Sequence, residues 1–255
     1  MHRHSGEPSF ETAPSRCRFF FLHRQANGRL SCRRIAAHHD RTLAAIGSGG
    51  DNEGLRFLPA PMSDQRKILR SQLRQARRGL DVPTRLDAAD ALARQLFALP
   101  FNPTHGFVAG YWAGDGEIAL HRWQTRLPAG LTYCLPMLAG DVLRFAPWRP
   151  GQALSTNRYG IPEPDIAVED ALQPQAMALV VTPLVGFDGH CRRLGMGGGW
   201  YDRSFAFRLQ QAPAPWLVGA AFDCQQVDAL PGADWDVPLD AVCTPSTTHL
   251  APRTP

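Results

Sequence analysis

From Met62 onward the apolar and polar positions alternate in two rhythms, and the frequent change between them predicts a mixed α/β chain. Leu69, Leu73, Ala76 and Leu80 recur at helical spacing, which predicts a helix from Ser63, a candidate cap, to about Leu80. The Asp81-Val-Pro tripeptide then interrupts the pattern, and a second helix is predicted from about Thr84 to Leu99. Short apolar runs bounded by Gly or Pro predict strands at 105–112, 131–135, 142–146, 178–182, 216–222 and 240–244, with helices near 118–127 and 200–211. Strands that alternate with helices imply a single α/β domain: a largely parallel, Rossmann-like sheet covered by helices.

Residues 1–61 follow neither rhythm. They hold nine arginines, five histidines and no lysine, and end near a Gly-Ser-Gly-Gly-Asp-Asn-Glu-Gly run at 47–54. Few acids and many arginines resemble a transit peptide in composition, but no amphipathic helix can be drawn through them. Met62-Ser-Asp-Gln-Arg-Lys reads as an ordinary bacterial start, so residues 1–61 are expected to be a disordered extension or upstream sequence translated from a misassigned start, with the domain at 62–255.

With 255 residues and 44% hydrophobic content the chain is long enough for a full core. No apolar run approaches the ~20 residues that cross a bilayer, so no membrane partner is expected. The six cysteines lack metal-ligand spacing, which suits reduced thiols in a cytoplasm. A net charge of +4 points mildly to anionic ligands. Nucleic acid is not expected, because no aromatic residues interleave with the basic ones and no recognised binding motif is present.

Two segments carry candidate chemistry. On a helical wheel Arg66, Lys67, Arg70, Arg74, Arg77 and Arg78 share one face of about 120°, which is either a solvated surface or a dock for polyphosphate. In Arg193-Leu-Gly-Met-Gly-Gly-Gly-Trp-Tyr-Asp-Arg203, glycines at 195, 197, 198 and 199 allow consecutive amides to converge on an anion, with the N-terminus of the next helix behind them. The order of residues is neither the Walker pattern nor the dinucleotide fingerprint, and the plain structural reading is a flexible strand-to-helix turn. Asp202 stands where a magnesium ligand would serve. Trp112, Tyr133 and Trp200 are candidates for stacking, with core packing as the alternative.

Taken with Tyr111, Gly116-Glu117-Ile118, Leu135-Pro136, Tyr159-Gly-Ile-Pro-Glu-Pro164, Thr182-Pro-Leu-Val-Gly-Phe-Asp188, Phe222-Asp-Cys-Gln225 and Trp235-Asp236, these segments resemble the 5-formyltetrahydrofolate cyclo-ligase family from about Gln65 to Thr244. The resemblance implies ATP- and magnesium-dependent conversion of 5-formyltetrahydrofolate to 5,10-methenyltetrahydrofolate, with release of ADP and phosphate, in a cytoplasmic monomer. It implies ATP contacts from Arg66, Lys67, Arg70 and the run Arg193, Leu194, Gly195, Met196, Gly197, Gly198, Gly199, Trp200 and Tyr201. Folate contacts would come from Glu117 and from Met196 to Trp200. Arg193 and Asp202 would be catalytic, and Asp202 and Asp236 would hold Mg2+. Departures from the family pattern are Arg66 in place of lysine, Ala119 for an acid, Cys191-Arg192 for a glycine and Trp235 for histidine. The competing expectation is a nucleotide- or sugar-phosphate-binding sensor, or an isomerase-like protein, on the related α/β sheet that sugar-phosphate isomerases and CoA transferases also use.

Overall fold

The computed structural model describes residues 19–24, 30–35, 62–210 and 214–252. The chain divides into two compact units, Met1–Asp51 and Asn52–Pro255. In the first, β1 (Phe19–Arg24) and β2 (Leu30–Ile35) pair antiparallel, where the sequence pattern predicts no strand. The glycine-rich run at 47–54, and with it most of the expected extension, lies outside the described residues.

The described part of the second unit opens with two helices. Helix α1 (Met62–Arg78) begins one residue before the Ser63 cap that the sequence suggests. It ends where Gly79 donates to Gln75, and the Arg85 guanidinium closes its last turn by donating to the carbonyls of Arg77 (2.7 Å) and Arg78 (3.1 Å). Helix α2 (Val82–Phe97) starts earlier than predicted. Asp81 caps it by accepting from the Thr84 amide at 2.8 Å, and Pro83 falls in the first turn, where the missing N–H costs nothing.

The sheet has seven strands in the order β13-β12-β11-β8-β3-β4-β5. Its centre is parallel: β12 (Ala241–Cys243), β11 (Trp216–Ala220), β8 (Met177–Pro183), β3 (Gly106–Ala109) and β4 (Leu131–Ala139). The edges β5 (Val142–Pro147) and β13 (Thr248–Leu250) run antiparallel. Alternation along the strands divides the core in two. Val108, Tyr133, Leu179, Val181, Val218 and Ala241 face Leu92, Leu96 and Trp123 on one side. Ala109, Cys134, Val180, Leu217 and Val242 face Phe145, Phe187 and Phe205 on the other. Near-continuous apolar strands, covered on both faces, are what a buried parallel sheet requires.

Some predicted elements are shorter or divided. The helix expected at 118–127 is only α3 (His121–Gln124). The helix expected at 200–211 is α4 (Trp200–Ser204) followed by a 3-10 turn at Ala206–Leu209, because the fully buried Phe205 between them takes φ −113; Gln211 lies outside the described residues. Two small ribbons escape the sequence pattern. The first pairs β6 (Leu154–Thr156) with β7 (Pro162–Pro164), and the second pairs β9 (Gly186–Phe187) with β10 (Arg193–Leu194). Among the described residues no helix is long and apolar enough to cross a membrane.

Candidate active site

After β3 the chain moves to β4 on one side, and it later returns as β8 on the other side of β3. Open α/β sheets bind ligands at such a reversal, outside the carboxyl ends of the strands. A cleft of about 700 Å³ lies there, lined by Tyr111 and Trp112 just beyond β3, Pro136 in β4, and Pro183 and Leu184 at the end of β8.

The β9–β10 ribbon carries one wall. Buried Asp188 ties its turn together by accepting from the amides of His190 (2.9 Å), Arg192 (3.1 Å) and Leu230 (3.1 Å). Gln225 fixes the base by donating to the carbonyls of Leu184 and Val185, each at 2.9 Å. Helix α1 lies against this ribbon so closely that a Cβ on Gly186 would stand 2.4 Å from Leu73. Leu69 and Leu73 pack with Val185 and Leu194, which turns the adjacent basic face of α1 toward the glycine loop.

That loop runs from Gly195 to Gly199. Gly197 (φ 98) and Gly199 (φ 65) occupy left-handed conformations that a side chain would strain. Among the described residues, no acceptor meets the amides of Gly197, Gly198 or Gly199. The carbonyls are held from outside, Gly195 by Arg70 Nε at 2.8 Å and Gly198 by Arg203 at 2.8 Å. Helix α4 has five residues, too few for the dipole expected of a longer helix, so the anion-attracting features are free amides and guanidiniums.

Three arginines and two aspartates converge on this wall. Arg193 is buried, donates to Val237 O at 3.0 Å and pairs with Asp202, which also accepts from the Val237 amide at 3.2 Å. Burial pulls the Arg193 guanidinium below its ordinary range, against the opposing effect of Asp202 and Asp236. Burial and the charge of Arg66 do the same to Arg70. Arg66 pairs with Asp236 at 3.2 Å, yet its Nε is buried without a partner. A buried donor on a cationic wall is costly unless a ligand meets it.

Asp202 and Asp236 both line the cleft, as a shared metal requires. Among the described residues no group of three or more His, Cys, Asp or Glu converges, so the protein alone forms no cage. Magnesium suits such a pair, because it takes one or two carboxylates and completes its octahedron with phosphates and water.

The opposite wall is apolar. Trp112, Pro136, Leu138, Leu143, Tyr159 and Ile161 line it, with Glu117, Asn157 and Glu163 set among them. Glu163 accepts from the Leu138 amide (2.9 Å) and from Asn157 (2.7 Å), fastening the β6–β7 ribbon to β4. Asn157 in turn accepts from the amides of Tyr159 (2.8 Å) and Ile161 (3.1 Å), which presents both side chains to the cleft. Tyr159 meets Trp200 edge-on at 6.1 Å, joining the two walls. Glu117 is half-buried, and burial pushes its carboxyl above the ordinary range, against the Gly114 amide and the charges of Arg77 and Arg74.

The structure thus brings Arg66, Arg70, Glu117, Arg193, Gly195 to Tyr201, Asp202 and Asp236 to one cleft. It places two sequence candidates elsewhere: Lys67 is exposed and does not line the cleft, and Leu194 is buried in the small cluster under α1. Trp112 and Trp200 line the cleft, whereas Tyr133 packs edge-on against Trp123 in the core. Sequence reasoning missed Pro136, Leu138, Leu143, Tyr159 and Ile161. The available signals were Leu135-Pro136 and Tyr159-Gly-Ile-Pro-Glu-Pro164, likeness elements to which no side-chain role was attached.

Fold and cleft together define an open-sheet α/β protein whose ligand site has a cationic, glycine-looped wall. The family model for the 5-formyltetrahydrofolate cyclo-ligase family matches residues 62–245. The 5-formyltetrahydrofolate cyclo-ligase of Escherichia coli (strain K12) is 37% identical over 179 residues, covering 68% of this chain and 97% of its own. That of Haemophilus influenzae is 32% identical over 181 residues, covering 69% and 96%. The solution structure of Aquifex aeolicus 5,10-methenyltetrahydrofolate synthetase superposes with a TM-score of 0.64 at 25% identity, over 74% of this chain and 94% of that one. The chain belongs to the 5-formyltetrahydrofolate cyclo-ligase family.

Proposed function

We propose that this chain converts 5-formyltetrahydrofolate to 5,10-methenyltetrahydrofolate, with ATP supplying the phosphoryl group that turns a formyl oxygen into a leaving group. The observation that carries the reading is one cleft with two chemically opposite walls, cationic for a polyphosphate and apolar for a flat heterocycle. In this reading the γ-phosphoryl group passes to the formyl oxygen as its bond to ADP breaks. The folate N10 then attacks the formyl carbon and loses its proton, and the carbon–oxygen bond breaks to release phosphate.

Little covalent work falls to the protein, because positioning and charge neutralisation account for most of the acceleration in phosphoryl transfer. Arg66 would donate its unpartnered Nε to a phosphate oxygen, Arg70 would hold the glycine loop in place, and the free amides of Gly197 to Gly199 would receive the transferring group. Buried Arg193 would stabilise the charge that develops there. Asp202 and Asp236 would hold Mg2+, which when bound neutralises phosphate charge. Glu117 would meet the polar edge of the folate while Trp112, Tyr159, Ile161 and Trp200 flank its ring.

The reading gives the activity to residues 62–255, where every described residue of the cleft falls. It also takes the chain as a cytoplasmic monomer, a setting that suits the unpaired Cys134, Cys191, Cys224 and Cys243. The test is an absorbance assay on the full chain with 5-formyltetrahydrofolate, ATP and magnesium. Growth of the near-ultraviolet band of the methenyl product only when both ATP and metal are present is the expected result. A flat trace from folded protein would overturn the reading in favour of a sensor or isomerase-like protein.

A further inference from the structure

The basic face of α1 has two halves with different partners. Arg66 and Arg70 reach the cleft, whereas Arg74, Arg77 and Arg78 all grip the carboxylate of Asp115. Like charges three and four residues apart on a helix repel one another, so three guanidiniums gathered there need a compensating anion. Asp115 supplies it, from a loop far away in the sequence. Arg74 Nε donates to its Oδ2 at 2.7 Å, Arg77 donates to the same oxygen at 2.8 Å, and Arg78 donates to Oδ1. The backbone of this loop is held as well, with Asp115 O accepting from Arg77 Nε at 3.1 Å and Gly116 O from Arg85 at 3.0 Å.

The clamp fixes an unusual turn. Asp115 has φ 50 and Gly116 φ 75, two consecutive left-handed residues, and the first bears a side chain. Such a conformation persists only where its surroundings enforce it, and it gathers at functional sites. The next residue is Glu117. Its amide donates to Gly114 O at 2.8 Å, and its Oε2 accepts from the Gly114 amide at 3.1 Å. Its Oε1 lies 3.6 Å from Arg77, which is fully buried and also donates to Leu184 O at 3.1 Å beside the cleft.

We propose that Arg77 and Asp115 are positioning residues that set the Glu117 carboxylate at the folate side of the cleft, so that one helix serves both walls. This rests on the reading that Glu117 meets the folate. Because α1 also carries Arg66 and Arg70, mere loosening of the helix would disturb nucleotide and folate binding together. Loss of the clamp alone disturbs the folate.

Asp115→Asn is the discriminating variant, because asparagine tolerates the left-handed conformation while removing the charge that three arginines share. In steady-state assays on the full chain, the KM for 5-formyltetrahydrofolate should rise about tenfold, the scale at which small misplacements of a binding group are felt, with the KM for ATP unchanged within about twofold. Arg77→Met should move the same parameter further, and Arg77→Lys should restore part of it; thermal melts establish that each variant is folded. A parallel rise in both KM values, or no change in either, overturns the proposal. Glu117→Gln separates the two levels of inference. If it leaves the folate KM untouched, the folate role of Glu117 falls and the clamp's role with it. If it raises that KM while Asp115→Asn does not, the clamp alone is wrong.

Discussion

The two walls of the cleft are built by opposite means. The cationic wall draws its chemistry from two compact stretches, one turn of α1 with Arg66 and Arg70 and the run from Arg193 to Asp202, completed by Asp236. The apolar wall takes single side chains from the ends of β3, β4 and β5 and from the β6–β7 ribbon. Charge and backbone geometry can be concentrated in a motif, since an anion needs several donors at one point. A flat apolar surface needs only shape, which the fold assembles from residues that elsewhere would be ordinary core. The walls should therefore fail in different ways.

The largest effect is expected at the cationic wall. Asp202→Asn keeps the shape and the Val237 amide contact but removes a charge, and kcat should fall about 10²–10³-fold, the usual scale for losing a charged group at a transferring phosphoryl centre. Titration with magnesium should show a weaker apparent metal affinity in the same variant. Near-normal turnover from a protein of normal stability would remove Asp202 from the site.

Arg66→Met tests whether that wall acts on the nucleotide alone. A charge-assisted hydrogen bond contributes about 1.5–3 kcal/mol, so the KM for ATP should rise by roughly 10- to 150-fold with the folate KM unchanged. Ile161→Ala on the opposite wall should do the reverse. Losing part of one apolar contact of about 1–2 kcal/mol predicts a folate KM higher by roughly 5- to 30-fold at an unchanged ATP KM. If either variant moves both constants equally, the division of labour between the walls is wrong.

The same contrast explains what could be read from the sequence. The glycine loop was legible because donors, turn residues and the following acid lie within eleven consecutive positions. The parallel sheet was legible because its strands are apolar runs, and a strand covered on both faces has no polar period to confuse the reading. Periodicity could not divide α1, since Arg74, Arg77 and Arg78 share a face with Arg66 and Arg70 and only the tertiary position of Asp115 separates them. Nor could it distinguish Trp112 in the cleft from Tyr133 in the core, because both are aromatics in or just after short strands. The ribbons were missed for another reason. Two- and three-residue strands are shorter than any pattern that alternation can establish.

The smallest effect is expected where charge enters the folate side. Glu117 is ionisable and half-buried, and burial raises its carboxyl above the ordinary value. A carboxyl so raised binds its proton more tightly in the fold than in the unfolded chain. Its contribution to stability is complete below the ordinary carboxyl range and is lost as pH rises through the raised value. Glu117→Gln keeps the shape and cannot ionise. Its melting temperature should match that of the native chain in mild acid and exceed it toward neutrality, even as folate binding weakens. Melts of both proteins across that range decide the matter. A native chain that gains on the variant as pH rises would mean that Arg77 and Arg74 outweigh burial at this carboxylate, and the clamp would then be a stabilising ion pair before it is a positioning device.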